Sequence, residues 1–303
     1  MSHRQNDGQW LVVASGLLLG TVGVFVEEAA QAPLTTVWCR CVFGLAALLA
    51  WGACTGRLRE ISSLRGRPLA LVAGAGALTI ASWGLFFAAL PLCSIAVSTV
   101  VFHLQPFWLL ALAALLLHER VAPAQWAAAA IALLGLGLAS GLAGDGRVGV
   151  EGGYLLGVAL SFLGSIVYAG ATLLARRVGE RAGSYAVAAG PCAVGALALA
   201  PWALLHGLPA AGAAWAWLAG LGILHTGLAY VLLYAGMARL PTGRFAVLQF
   251  VYPATAVIVD WAVYGRALQP AQMAGVALMA AALWSLRRGE PQEHVRRPSQ
   301  SRA

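Results

Sequence analysis

Long apolar stretches recur along the whole chain, and they constrain its fold more than any other feature. Each is long enough to cross the hydrocarbon core of a membrane as a helix, since a crossing takes about 20 residues. The breaks between them carry charge, proline or glycine. The sequence therefore predicts ten transmembrane helices. The stretches fall at about residues 10–28, 35–54, 69–90, 94–117, 124–142, 153–175, 184–205, 213–237, 244–264 and 270–286.

The scarcity of charge supports this interpretation. The chain is 60% hydrophobic and only 10% charged, whereas soluble domains average roughly 45–50% apolar and about 25% charged residues. Ionised groups are what a hydrocarbon solvent excludes. We therefore expect an all-α integral membrane protein. A cleaved signal peptide ending near Ala30-Gln31-Ala32 is a weaker alternative for the first stretch.

The positions of the arginines indicate the orientation of the chain. With the N-terminus inside, sixteen of the 19 basic residues fall in inside connections and tails, and only Arg147 and Arg266 fall outside. The remaining one, Arg40, lies within a span. Inside connections of membrane proteins carry an excess of positive charge. We expect both termini in the cytoplasm and the protein in a bacterial inner membrane. The net charge of +8 is then explained by the arginines of the inside connections and tails, and we expect no nucleic-acid partner.

A short motif shows that the chain is duplicated. Pro-Ala-Gln occurs at residues 123–125 and again at 270–272, and the same offset pairs Pro106 with Pro253. Five spans per half is an odd number, so the second half enters the membrane in the opposite sense. The prediction is two inverted five-helix repeats. The expected parts are a cytoplasmic tail at 1–9, repeats at 10–142 and 153–287, a periplasmic connection at 143–152 and a disordered cytoplasmic tail at 288–303.

Several short motifs stand in a particular order along the two halves. They are Gly20-Thr21, Pro33-Leu34-Thr35 leading to Arg40, Ala89-Leu90, Pro106, His118-Glu119-Arg120, Met237-Ala238-Arg239-Leu240, Pro253 and Gly265-Arg266. This order resembles that of the drug/metabolite transporter superfamily, in particular its EamA-type members with ten helices. The family usually ends spans 4 and 9 with Gly-Glu, so the pairs His118-Glu119 and Gly265-Arg266 are departures.

The resemblance implies a transporter and not an enzyme. Members of the family export amino acids, other small metabolites and drugs, and aromatic amino-acid exporters are one subgroup. We expect export of small organic metabolites, with amino acids favoured, by alternating access. The alternatives are a proton-coupled multidrug exporter of the same fold, a channel, or a membrane-embedded enzyme. The expected partners are a small-molecule substrate and the lipid bilayer, with no cofactor, no metal and no nucleic acid, and a monomer is the working assumption.

Two kinds of residue are candidates for the transport site. Pro106 and Pro253 each remove a backbone hydrogen bond inside a span, so they predict paired helix hinges. Polar and aromatic side chains on neighbouring spans predict a central cavity. The candidates for its lining are Trp83, His103, Gln105, Tyr168, His225, Tyr230, Tyr234, Gln249 and Tyr252.

Charged side chains within spans form a third group. Arg40 lies nearly two turns into span 2 and requires a partner, for which Glu27 and Glu28 at the end of span 1 are candidates. Asp260 lies about one turn from the outer end of span 9. Burial favours the protonated form of a carboxylate, so Asp260 is a candidate proton site; contact with water or with Arg266 is the alternative.

Overall fold

The computed structural model describes residues 3–93, 95–140, 153–265 and 269–288. All regular secondary structure in these ranges is helical, which confirms the predicted all-α class for this part of the chain. The predicted connection at 143–152, Arg147, Arg266 and residues 289–303 of the predicted tail lie outside the described residues.

The first half contains eight helices in the described ranges. Some of them are pieces of one apolar run, separated by one or two residues. They are α1 (His3–Gly20), α2 (Val22–Ala29), α3 (Pro33–Thr55), α4 (Leu58–Ser62), α5 (Arg67–Ala89), α6 (Ile95–Phe102), α7 (Gln105–Leu116) and α8 (Pro123–Ala139).

The second half adds seven described α-helices and one π-helical segment. The π-helical segment is continuous with the α-helices on both sides of it. The elements are α9 (Tyr154–Ala198), α10 (Ala200–His206), α11 (Ala214–Gly220), the π segment (Leu221–Leu228), α12 (Ala229–Met237), α13 (Thr242–Leu248), α14 (Val251–Tyr264) and α15 (Pro270–Arg288).

Seven helical stretches in the described residues are long and apolar enough to cross a membrane. An eighth is formed if the bent pair Arg181–Ala198 and Ala200–His206 counts as one crossing. Two further apolar helices, Pro123–Ala139 and Pro270–Ser285, are shorter. Multiple crossings are therefore clear from the structure, while the full number of ten and the inverted arrangement remain predictions.

The expected cytoplasmic tail at 1–9 is helical where the structure describes it. Helix α1 begins at His3, so residues 3–9 continue into the first apolar helix. The reason is packing on the second half. Gly8 lies so close to α12 that an added Cβ would be 3.2 Å from the carbonyl oxygen of Gly236. Gln9 is buried as well.

The repeated Pro-Ala-Gln motif starts one helix in each half. Pro123 and Pro270 are the first residues of α8 and α15, where a proline costs no hydrogen bond. The Gln125 Oε1 atom accepts a hydrogen bond from the Ala122 backbone N–H at 3.1 Å. The Gln272 Oε1 atom likewise accepts one from the Gln269 N–H at 2.9 Å. The motif thus forms the N-terminus of one helix in each half.

These two helices also pack against each other. A Cβ atom added to Gly135 in α8 would lie 2.6 Å from the Gly275 carbonyl oxygen in α15, and one added to Gly275 would lie 2.4 Å from the Gly135 oxygen. Small residues allow the backbones of membrane helices to approach this closely. The last helices of the two halves therefore pack backbone to backbone.

Helix α9 comprises two spans joined at Gly183. The φ and ψ angles of Gly183 are 80° and 155°, a conformation that favours glycine. A side chain at this position would also meet the Glu60 carboxylate. The predicted spans 153–175 and 184–205 are therefore connected by helical residues and one glycine turn.

Candidate functional site

Two helix breaks lie near the two prolines expected to act as hinges. Helix α6 ends at Phe102 and α7 begins at Gln105, while α13 ends at Leu248 and α14 begins at Val251. We expected each proline to interrupt one continuous helix. Instead Pro106 and Pro253 lie in the first turn of the new helix, where the missing N–H is tolerated. Both prolines are buried.

The two breaks meet in the interior. The ring of His103, in the first break, lies 6.3 Å from that of Phe250 in the second break and 5.9 Å from that of Tyr252. The Nδ1 atom of His103 is 2.8 Å from the Thr99 carbonyl oxygen. Because a carbonyl only accepts, Nδ1 carries the proton in the neutral ring, and Nε2 is then an acceptor.

Aromatic side chains from both halves line this region. The ring of Trp83 lies 6.2 Å from that of Tyr230, and the rings of Tyr230 and Tyr234 are 5.8 Å apart. The Tyr168 ring lies 5.8 Å from Phe102, at the end of α6, and the Tyr168 and Tyr230 side chains interact. The structure thus brings together most of the aromatic residues that the sequence suggested for a cavity.

Arg40 projects into the same region from α3. Its Nε atom donates a hydrogen bond to the Thr226 hydroxyl at 3.0 Å. Its guanidinium carbon lies 4.6 Å from the centroid of the Trp83 ring. Trp83 in turn lies 6.2 Å from the Tyr230 ring, and Tyr168 and Tyr252 approach the region from α9 and α14. We refer to Arg40, Trp83, His103, Tyr168, Tyr230 and Tyr252 as the central cluster.

The backbones of α3 and the π segment pack closely against each other at Arg40. A Cβ atom added to Gly222 in the π segment would lie 2.8 Å from the Gly44 nitrogen and 3.0 Å from the Arg40 carbonyl oxygen. The π geometry is reflected in Thr226, whose hydroxyl donates at 3.2 Å to the Leu221 carbonyl five residues earlier. Such wide turns are frequent at functional sites.

The described residues show no ion pair between Arg40 and Glu27 or Glu28, the pairing expected from the sequence. Both glutamates are exposed at the end of α2, and Glu28 accepts a hydrogen bond from the Tyr264 hydroxyl at 3.4 Å. Arg40 lies about 10 Å along α3 from its first residue, by the rise of an α-helix, so the glutamates remain at the helix ends. The half-buried Asp260 lies in α14, one turn before Tyr264.

His225 does not join the central cluster. It is fully buried, and its Nε2 atom lies 2.8 Å from the Thr21 hydroxyl. That hydroxyl donates its own proton to the Leu18 carbonyl at 2.8 Å, so the imidazole Nε2–H is the donor. The ring packs against Phe25 at 4.6 Å between centroids. These contacts tie the π segment to the α1–α2 junction.

Two glutamines predicted for the cavity flank the breaks. Gln105 is the first residue of α7, and Gln249 lies in the break before α14. Their side-chain amide nitrogens are buried without a hydrogen-bond partner among the described residues. Buried donors normally have a partner in the protein or a ligand.

A second polar group was not predicted as a site. The Thr242 hydroxyl and backbone N–H donate to the Glu119 carboxylate at 2.9 Å and 3.2 Å, and Arg176 Nε lies 3.7 Å from it. The two Nη atoms of Arg176 donate to the carbonyls of Met237 and Leu240 at 3.1 Å and 2.9 Å. We refer to Glu119, Arg176 and Thr242 as the Glu119 cluster. The only sequence signal was the His118-Glu119-Arg120 motif.

No group of three His, Cys, Asp or Glu residues that could hold a metal ion occurs within residues 3–93, 95–140, 153–265 and 269–288.

Comparison with known proteins adds an independent finding. The model of the EamA-like transporter family matches residues 7–141 and 155–288. An uncharacterized transporter of Archaeoglobus fulgidus is 25% identical over 274 residues, covering 90% of this chain and 94% of its own. The uncharacterized transporter YxxF of Bacillus subtilis is 24% identical over 276 residues, covering 90% and 86%. A protein of known crystal structure shares the fold, with a TM-score of 0.81, 24% identity and coverage of 94% and 99%.

Proposed function

The chain belongs to the EamA-like transporter family, and on that premise we propose that it is a secondary transporter that exports small organic metabolites by alternating access. The family match extends over both halves and confirms the resemblance expected from the motifs. The chain is a multi-pass membrane transporter. Export, the substrate class and the mechanism belong to the proposal.

The meeting of the two helix breaks is the observation that carries the proposal. Broken helices are used in membranes where backbone groups line a cavity at the interface of two repeats. Here His103 of the first break contacts Phe250 of the second at 6.3 Å between ring centroids. The central cluster draws Arg40 and Trp83 from the first half and three tyrosines from the second. A substrate there would contact both halves at once.

The Glu119 cluster supports the proposal of a closure at one end of the substrate cavity that we propose at the central cluster. It joins the end of the first half to α9 and to the α12–α13 connection. The arginine distribution supports a cytoplasmic position for this end and for both termini in the proposed ten-crossing protein of a bacterial inner membrane. Charge-assisted hydrogen bonds of this kind are strong enough to stabilise one conformation of the transporter. The cluster contains few of them, so the free energy of substrate binding can offset their loss.

Amino acids are the favoured substrates because of the family resemblance. The test is counterflow in proteoliposomes with a panel of labelled amino acids, with and without a pH gradient. We expect saturable exchange of at least one aromatic or hydrophobic amino acid or a related metabolite above the rate in empty liposomes. Exchange at the empty-liposome rate for the whole panel, or single-channel currents, would contradict the proposal.

A further inference from the structure

We infer that Arg40 is the binding residue for an anionic group, and that the substrate of the central cluster is an organic monoanion with an aromatic body. This inference rests on the proposed function and names the substrate class of the same site. It departs from the amino-acid expectation, because a carboxylate without an ammonium group suffices for recognition.

Arg40 has no counter-charge among the described residues. A cation inside a membrane is expensive unless it is paired. Among the residues that the structure describes, no carboxylate lies within salt-bridge distance of Arg40. Its contacts there are the Thr226 hydroxyl and the face of Trp83. A bound anion would supply the opposite charge.

Arg57 carries the same guanidinium group in a different environment. The Arg57 guanidinium also lies over a tryptophan ring, at 5.2 Å from the centroid of Trp51. Arg57 however lies 3.7 Å from the Glu60 carboxylate, and both side chains are substantially exposed. The arginine at the helix end thus has a carboxylate partner, whereas the half-buried Arg40 has none among the residues that the structure describes.

The hydrogen-bond donors of Arg40 fit an anionic ligand. Arg40 uses Nε for Thr226, and its Nη groups make no hydrogen bond to the described residues. These groups form the planar fork that matches a carboxylate. Further buried amide nitrogens without a described partner belong to Gln105 and Gln249, at the two helix breaks. The unused Nη groups therefore favour a ligand that carries a carboxylate.

The other side chains of the central cluster are aromatic. The Trp83 ring centroid lies 4.6 Å from the guanidinium carbon of Arg40, the Tyr230 ring lies 6.2 Å from Trp83, and the Tyr252 ring lies 5.9 Å from His103. Aromatic rings bind a flat apolar body well. No carboxylate belongs to the central cluster, so an ammonium group on the ligand has no opposite charge to meet there. The complement is an aromatic carboxylate with a net charge of minus one.

Four probes that share an indole ring test this assignment in the wild-type protein. They are 3-indolepropionate, its primary amide, tryptophan and tryptamine, assayed by counterflow in proteoliposomes and by equilibrium binding of the labelled compounds in detergent. We expect 3-indolepropionate to bind and exchange at least about tenfold better than the amide, with tryptophan between them and tryptamine without effect. Equal binding of the acid and the amide would overturn the inference.

Variants then assign the effect to Arg40. Arg40→Gln should reduce binding of 3-indolepropionate at least about tenfold and leave binding of the amide unchanged, while Arg40→Lys should restore part of it. Arg57→Gln is the matched control and should bind the acid like the wild type. Unchanged binding of the acid by Arg40→Gln would overturn the inference. If Arg40→Gln fails to fold, the acid–amide difference in the wild type still decides the question.

The two proposals fail in different ways. Binding of the acid that depends on Arg40, without exchange above empty liposomes, would support the inference and contradict the transport function for this substrate. Exchange of the amide and the acid at equal rates would support transport and contradict the inference.

Discussion

The breaks before Pro106 and Pro253 share a backbone arrangement but differ in their side chains. Each consists of two residues between two helices, and each has a proline in the first turn that follows. The first contains His103-Leu104, and the second contains Gln249-Phe250. The backbone, which determines how a helix can bend, has been kept in both copies. The side chains, which determine what is bound, have diverged.

The two halves also differ in the charge that they contribute to the central cluster. At the offset that pairs Cys41 with Cys192, Arg40 is paired with Pro191. The first half therefore supplies the cation, and the second half supplies Thr226 and the tyrosines around it. Neither half contains a complete site. A comparison of matched changes in the two halves can separate mechanical residues from recognition residues.

The largest effect is expected where the halves touch backbone to backbone. Gly135→Val would place side-chain atoms against the Gly275 carbonyl, which lies 2.6 Å from the position of an added Cβ. Overpacking costs about 1–3 kcal/mol when neighbours can shift, and a helix backbone shifts little. We expect loss of most folded protein in size-exclusion chromatography. Gly137→Val is the control, because nothing lies within 4 Å of its added Cβ. Equal yields would show that α8 and α15 are not tightly packed.

Removal of the prolines should affect transport more than folding. In Pro106→Ala the new N–H can donate to the Phe102 carbonyl and close the first break, and Pro253→Ala can do the same with Gln249. We expect transport about tenfold slower in each variant, which corresponds to roughly 1.4 kcal/mol on the barrier, with near-normal insertion. Counterflow rates per inserted protein provide the measurement. If the two breaks are mechanically equivalent, the losses are equal; wild-type flux in both variants would refute the hinge role.

The Glu119 cluster has no visible copy in the described part of the second half. Glu119→Gln removes the charge facing Arg176, and a hydrogen bond to a charged group is worth about 1.5–3 kcal/mol. We expect a lower melting temperature and, with the exposed Cys54 replaced by Ser, faster labelling of a cysteine introduced at the buried Ala246 of α13, because this end opens more often. Glu60→Gln is the control, since Glu60 pairs with the exposed Arg57. Labelling that is unchanged in Glu119→Gln would exclude the closure.

The smallest effect is expected at the two helix starts. Gln125→Ala and Gln272→Ala each remove one hydrogen bond to a backbone N–H, and such bonds contribute about 0.5–1.5 kcal/mol. The loss at Gln272 should be the larger, because its Nε2 atom also donates to the Ala139 carbonyl at 3.3 Å. Melting temperatures of the two variants test this order. A larger loss at Gln125 would contradict this order.

The sequence predicted the helical class and the duplication because both depend on local pattern. Apolar length marks a span, and a repeated Pro-Ala-Gln marks a repeated helix start. The partners of Arg40 could not be predicted in this way. Glu28 is near Arg40 in the chain, but Trp83 and Thr226 come from distant helices whose relative rotation no local pattern records. The same applies to His225, which a midplane position suggested for the cavity and which packs on Thr21 instead.

The π segment has a consequence for related chains. In an α-helix each residue turns the chain by about 100°, and a π turn takes in an extra residue without extending the helix by a full step. If one residue between Leu221 and Leu228 were deleted and regular α-helix returned, Tyr230 and Tyr234 would keep nearly the same orientation relative to Trp217, because the π segment already absorbs about one extra residue. A substitution that restored α-helix at the same length would instead rotate both tyrosines by about 100° and move them out of the central region. Relatives that retain the aromatic wall with a regular α-helix in this segment should therefore be one residue shorter there.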